Sequence, residues 1–142
     1  MYLVDTNVIS EARKGRRADP GVLSFLRGIH AEELCLAVQT VGELRQGIER
    51  LRRRGDLPQA ELLEGWLGAL VQDYDDRILD FDLDAAQVWG ALMAHQPQNA
   101  VDRQIAAIAL LHDLVVVTRN VDDFQGTGVK TLNPFLHRIA PA

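Results

Sequence analysis

The chain opens with MYLVDTNVIS (residues 1–10), in which an apolar run at Tyr2–Val4 breaks into three small polar residues, Asp5, Thr6 and Asn7. A short bulky run without polar alternation is the pattern of a strand buried on both faces, as in parallel sheets covered by helices. The polar triplet then has two readings. It is either the cap of a following helix, a frequent job for Asp, Thr or Asn, or part of a reactive edge, because ligands of open parallel sheets bind beyond the carboxyl ends of the strands.

Working outward, LVVVT at residues 114–118 is a second buried run, and ELCLAV around Leu34 to Val38 and RILDF around Ile78 to Phe81 are weaker strand candidates. VKTLN, after the GTG turn at Gly126 to Gly128, is a possible last strand. Between these runs the spacing turns helical. QTVGELRQGIERLRRR places Val41, Leu44, Ile48 and Leu51 on one face, with Gly55 as a stop. PQAELLEGWLGALVQDY, DAAQVWGALMAH and DRQIAAIALLH complete the helical series. Helices alternating with buried strands predict an α/β fold with a central parallel sheet.

The 142 residues suit one domain, large enough to bury about two-thirds of its unfolded surface. A composition of 47% hydrophobic and 25% charged residues excludes the disordered class. The formal net charge of -5 excludes a uniformly basic nucleic-acid binder but leaves room for local patches. Two such patches are present, ARKGRR ending at Arg17 and RLRRRG ending at Gly55, suited to RNA phosphates or to a protein partner. Cys35 is the sole cysteine, which excludes an internal disulfide and a zinc site built on several thiolates. The longest apolar stretch, IAAIALLHDLVVVT, is broken by His112 and Asp113 and falls short of a membrane span. A cytoplasmic, non-membrane protein is expected.

If the first strand and LVVVT are parallel neighbours, Asp5, Thr6 and Asn7 emerge on the same side of the sheet as Arg119 and Asn120. Two further carboxylates sit where they can face that edge. Asp102 begins an apolar helix, at the end whose dipole favours an anion. Glu43 lies on the flank of its helix with Thr40 and Gly47, beside the stripe of Leu44 and Ile48. Gathering Asp5, Glu43 and Asp102 is costly unless a cation offsets their repulsion. Hard oxygen ligands suit Mg²⁺ or Mn²⁺, ions that serve phosphodiester displacement. The four histidines, His30, His95, His112 and His137, show no metal-ligand spacing, and no Ser or Cys has an obvious base partner.

Three segments in order, LVDTNVISEARK (3–14), LAVQTVGELRQGI (36–48) and DRQIAAIALLHDLVVVTRNVDDFQGTGVKTLNPF (102–135), resemble the PIN-domain ribonucleases, specifically toxins of the VapC or FitB type. The resemblance implies a single PIN domain over residues 1–142, built as a three-layer α/β/α sandwich with a central, mostly parallel sheet. It assigns Asp5, Glu43 and Asp102 to an acidic cluster that holds the metal, through which a water is activated to cut RNA. Thr6 and Asn7 would orient Asp5, Thr40 would sit beside the cluster, and Thr118 would support it. The fourth polar position falls on Asn120, a metal ligand through its carbonyl oxygen that brings no charge. Asp122 and Asp123 are the acids nearest to it in sequence. The implied partners are an RNA substrate and a cognate DNA-binding antitoxin, in a homodimer or a higher toxin–antitoxin assembly.

Each residue also has a plainer reading. Asp5 can be only a helix cap, Asp102 a first-turn acid and Glu43 a solvated glutamate. Trp66 and Trp89 read as core or dimer contacts, His112 as a partner of its helix dipole and GTG as a turn. The competing functions are a catalytically inactive PIN-like binding module acting through a partner, and an aspartyl-phosphate phosphatase or receiver domain. The phosphatase wants an acid where Asn7 stands, and the receiver a late lysine for which Lys130 is poorly placed.

Overall fold

The computed structural model describes residues 1–136, so His137 lies outside the described residues. Tyr2–Val4 (β1) is the middle strand of a five-stranded sheet whose other members are Leu34–Ala37 (β2), Ile78–Leu79 (β3), Val115–Val117 (β4) and Thr131–Leu132 (β5). The order is β3-β2-β1-β4-β5, and every neighbouring pair is parallel. Leu3 is in register with Cys35 on one side and Val116 on the other.

Strand side chains alternate between two cores. Val4, Leu34, Leu36 and Val117 pack on the face covered by Thr6–Ala12 (α1), Pro20–Arg27 (α2), Val38–Arg53 (α3) and Leu57–Asp73 (α4). Leu3, Cys35, Ala37 and Val116 pack on the opposite face, under Leu83–His95 (α5) and Ala100–Leu111 (α6). Both faces are dry, which is why the strands read as continuous apolar runs. This is the expected α/β/α sandwich, with all strand pairs parallel among the described residues.

Four details depart from the sequence reading. The helix α2 was not anticipated: PGVLSFLR is too short for a periodic signal, yet the Asp19 carboxylate caps it through the N–H groups of Gly21 (2.9 Å) and Val22 (3.2 Å), and Pro20 occupies its first turn. Its Phe25 packs edge-on to Tyr2 at 5.3 Å. The strand read through Phe81 stops at Leu79, because Asp80 is exposed and the Asp82 side chain already caps α5 through Ala85 N–H. Strand LVVVT narrows to its three central valines. Finally, α3 begins at Val38, directly from β2 with no loop. That abrupt junction carries the next turn of α3, and Glu43 with it, to the carboxyl edge of the sheet.

The turn at Gly55 adopts φ +84°, a left-handed conformation open to glycine, and stops α3 as its sequence suggests. Beyond it α4 folds back on α3. Glu64 takes two hydrogen bonds from Arg45, both 2.6 Å, and one from Arg52 at 2.8 Å. Trp66 packs against the first core and Trp89 donates to the Ala100 carbonyl at 3.1 Å, in keeping with structural roles.

Candidate active site

From β1 the chain crosses to β2 and β3 on one side, then returns to β4 on the other side of β1. The crevice at such a reversal opens between the carboxyl ends of the two strands that flank it. Here those ends are Asp5 and Thr118. They are stitched together by the Asp5 backbone N–H, which donates to the Val117 carbonyl at 2.9 Å.

The Asp5 side chain is buried and fully engaged. Its Oδ1 accepts from Thr6 N–H at 2.9 Å, and its Oδ2 accepts the Thr118 hydroxyl at 2.8 Å and, more weakly, Asn7 Nδ2 at 3.4 Å. Thr118 Oγ1 in turn accepts from Asn7 Nδ2 (3.3 Å) and from Asn120 N–H (3.1 Å). Asn7 closes the circuit, accepting from Arg119 N–H at 3.1 Å. The same carboxylate therefore caps α1 at the carboxyl edge of the sheet.

Thr6 turns the other way. Its hydroxyl donates to Glu43 Oε1 at 2.6 Å, joining α1 to α3. Thr40, one turn before Glu43, is buried, and its hydroxyl finds no hydrogen-bond partner among the described residues. Asp102 lies in the first turn of α6 and is partly buried.

The carboxylates feel one another. Asp102 is pushed up to about 6, first by burial and then by the charges of Asp5, Asp123 and Glu43, against a weaker opposing pull from Arg103. Burial also raises Asp5, opposed by the Thr118 hydroxyl and the Thr6 N–H, while Asp123 adds to the rise. Thus the charges of Asp5 and Glu43 both reach Asp102. Among the described residues, however, no three His, Cys, Asp or Glu side chains are gathered closely enough to grip an ion at once.

The residues after β4 sort differently from the sequence reading. Asn120 is exposed, and its side chain does not cap the turn that follows. Asp122 is also exposed and accepts from Gln125 Nε2 at 3.3 Å. Asp123 is the partly buried member, and it is the one whose charge reaches both Asp5 and Asp102. A signal beside it in sequence is Phe124, the buried residue of this turn. Sequence reasoning also missed Arg103, which is 2% exposed and donates through Nη2 to Gln96 Oε1 at 2.7 Å.

The donor set fits a hard divalent cation: every candidate ligand is an oxygen, two carboxyl groups are raised by crowding and burial, and the buried Thr40 hydroxyl is unengaged. Mg²⁺ in particular keeps several waters and is commonly held by one or two carboxylates, so it does not demand a closed cage.

Comparison with known proteins agrees with this geometry. The PIN domain family model matches residues 2–130. The chain is 35% identical to the VapC ribonuclease Y4jK of Sinorhizobium fredii, covering 95% of this chain and 98% of that protein. It is 31% identical to Toxin FitB of Neisseria gonorrhoeae, over 95% and 99% of the two chains. Among solved structures, FitAcB from Neisseria gonorrhoeae superposes with a TM-score of 0.84 at 30% identity, over 96% of this chain and 99% of that one. FitAB bound to a DNA fragment gives 0.78 at 28%, over 98% and 99%. With a family model spanning most of its length and relatives above 30% identity along nearly all of it, the chain belongs to the PIN domain family.

Proposed function

We propose that this protein is a metal-dependent endoribonuclease and the toxin of a toxin–antitoxin pair, one PIN domain acting in the cytoplasm. The observation that carries the reading is the crevice between β1 and β4, at the switch point of a parallel sheet, where the charges of Asp5, Asp123 and Glu43 all reach Asp102. The toxin role is supported by the relatives' names, a VapC ribonuclease and Toxin FitB. The FitAB complex on DNA supports a DNA-binding antitoxin as partner.

In this reading Asp5, Glu43, Asp102 and Asp123 would hold Mg²⁺ or Mn²⁺, with the Asn120 carbonyl oxygen as a further, neutral donor. The ion supplies positive charge to offset the scissile phosphate and to acidify a water for its hydrolysis. The chain's own residues do the rest. Thr118, Thr6 and Asn7 fix both oxygens of Asp5, so that carboxylate meets its ligand without reorganising. Thr6 Oγ1 holds Glu43 in place across the α1–α3 gap. Asp102, raised to about 6 by burial and by its neighbouring acids, is the carboxyl whose ionised form a bound cation would relieve most.

The test is cleavage of a mixed RNA pool by the wild type and by Asp5→Asn, with Mg²⁺ or Mn²⁺ and then with chelator. Activity that needs the metal and vanishes in the variant supports the enzyme. Equal cleavage by both proteins refutes this site. RNA binding without any cleavage by wild type would favour the inactive binding module instead.

A further inference from the structure

Asp5 and Glu43 are held directly, the first by Thr118, Thr6 and Asn7 and the second by the Thr6 hydroxyl. The Asp102 carboxyl accepts no hydrogen bond among the described residues, so it stands wherever the first turn of α6 places it. What anchors α6 therefore matters to the crevice. Two side-chain bonds join it to α5, on its own face of the sheet: Arg103 Nη2 to Gln96 Oε1 at 2.7 Å, just beyond the end of α5, and Trp89 Nε1 to the Ala100 carbonyl at 3.1 Å. Neither sets its distance from α3, which lies on the other face and carries Glu43.

That link is one contact between two amides. Gln39 Nε2, in the first turn of α3, donates to Gln104 Oε1, near the start of α6, at 3.2 Å, and it is the one side-chain hydrogen bond between the two helices among the described residues. Because α3 leaves β2 without a loop, the bond crosses from one helical layer to the other at the carboxyl edge of the sheet. Gln39 lies one turn before Glu43, and Gln104 two residues after Asp102. Residues two apart leave a helix on different sides, so the amide pair acts on α6 as a body and not on the Asp102 side chain itself.

The bond has a cost. Gln39 Oε1 is buried and finds no partner among the described residues. A buried amide oxygen without a donor is destabilising, so an apolar residue of the same shape would suit the fold at least as well. The Gln39 amide is explained by the direction it imposes rather than by stability. It opposes a definite force, since the charge of Glu43 raises Asp102 and the two acids therefore repel.

Resting on the metal-dependent reading above, we propose that Gln39 and Gln104 are positioning residues: their amide pair ties the openings of α3 and α6 together and limits how far Glu43 and Asp102 move apart before a divalent cation binds. The ion then has less spreading to undo, and part of its binding free energy is saved by this preorganisation.

The experiment measures Mn²⁺ uptake by the full-length chain, following free Mn²⁺ by electron paramagnetic resonance, for wild type, Gln39→Met, Gln104→Met and the double variant. The melting temperature of each is taken in chelator. Each single variant is expected to bind Mn²⁺ about three- to tenfold more weakly, a smaller loss than removal of a group bonded directly to a metal ligand causes. The double variant should be no weaker than the worse single, because either change breaks the same bond. Gln39→Met should melt at or above the wild-type temperature, which separates positioning from stability. In Mg²⁺-dependent RNA cleavage, the metal concentration for half-maximal rate should rise by the same factor, with kcat at saturating metal within about twofold and KM for RNA unchanged. Gln87→Met, at an exposed glutamine of α5, should alter none of these. Wild-type Mn²⁺ affinity in both single variants overturns the proposal and leaves the ribonuclease reading standing. Losses that add in the double variant overturn it as well, since they make the two amides independent. So does an affinity that falls only in step with the melting temperature, which assigns the amides to folding alone. A wild type that takes up no Mn²⁺ overturns the metal-dependent reading together with the amide bridge that rests on it. A wild type that binds Mn²⁺ but cleaves no RNA overturns the ribonuclease, while the binding measurements still judge the bridge.

Discussion

Thr118 donates its hydroxyl hydrogen to Asp5 Oδ2 at 2.8 Å across 113 positions of sequence, while its own Oγ1 accepts from Asn7 Nδ2 and from the Asn120 N–H. One small side chain thereby binds the end of β4 to the end of β1 and sets the orientation of the most buried acid in the crevice.

Thr118→Val keeps the shape and removes that donor. A hydrogen bond to a charged group is worth about 1.5–3 kcal/mol, so without the Thr118 donor the Asp5 carboxyl should rise further. The acid limb of the kcat/KM profile should shift upward accordingly, and Thr118→Ser should restore it. A profile unmoved by the valine, in a protein that merely melts earlier, would reduce Thr118 to a structural role.

Asp102→Asn should stabilise the metal-free protein at alkaline pH. The carboxyl is raised from 3.8 to about 6 in the folded state, so the fold binds its proton more tightly than the unfolded chain does. Its contribution to stability is fully present below about pH 4 and is lost as pH rises through 6. Allowing for partial solvent exposure, the ionised group costs roughly 1–2 kcal/mol at pH 8 in chelator, or about 4 °C in Tm. Thermal melts should show that gain at pH 8 and none at pH 4, and Mg²⁺ should raise the Tm of wild type more than that of the variant. A gain of equal size at both pH values would separate it from the carboxyl's titration.

Gly126→Ala should be costly out of proportion to its size. Gly126 holds φ +80°, and a Cβ there would stand 2.5 Å from Gln96 Oε1, the acceptor of the Arg103 Nη2 bond. Backbone strain plus a buried guanidinium stripped of its acceptor should together cost about 2–3 kcal/mol by urea denaturation. Arg103 Nη1 already has no partner among the described residues, so Arg103→Met should be tolerated and should absorb part of the Gly126→Ala penalty in the double variant. Strict additivity would mean that the two sites do not communicate.

Glu64→Gln should loosen the α3–α4 hairpin in a salt-dependent way. Arg45 and Arg52 hold the Glu64 carboxyl down to about 2. Its depressed value makes the stabilisation present above about pH 4.5 and lost as pH falls through 2. A small drop in Tm is expected at pH 7 and low salt, shrinking at 1 M NaCl because the pair is exposed. A drop that salt leaves untouched would point to packing instead.

The amino-acid order alone determined the layers. Runs such as Tyr2–Val4 and Val115–Val117 are apolar on both faces because both faces of their sheet are covered, and the α3 stripe of Leu44 and Ile48 repeats at helical spacing for the same reason of burial. Asp5 was legible as a candidate because it follows a buried strand, and Glu43 and Asp102 because they stand on a helix flank and in a helix's first turn. Tertiary structure decided what periodicity does not encode. It brought in α2, which is held by a cap and a proline rather than by a long repeat. It left Asp123 partly buried, with its charge reaching Asp5 and Asp102, while Asn120 and Asp122 are exposed, and it buried the Arg103 guanidinium against Gln96. Local spacing records which face of an element is dry. Which polar side chains meet across more than a hundred residues depends on how strands and helices close on one another, and that is set only when the cores on both sides of the sheet are packed.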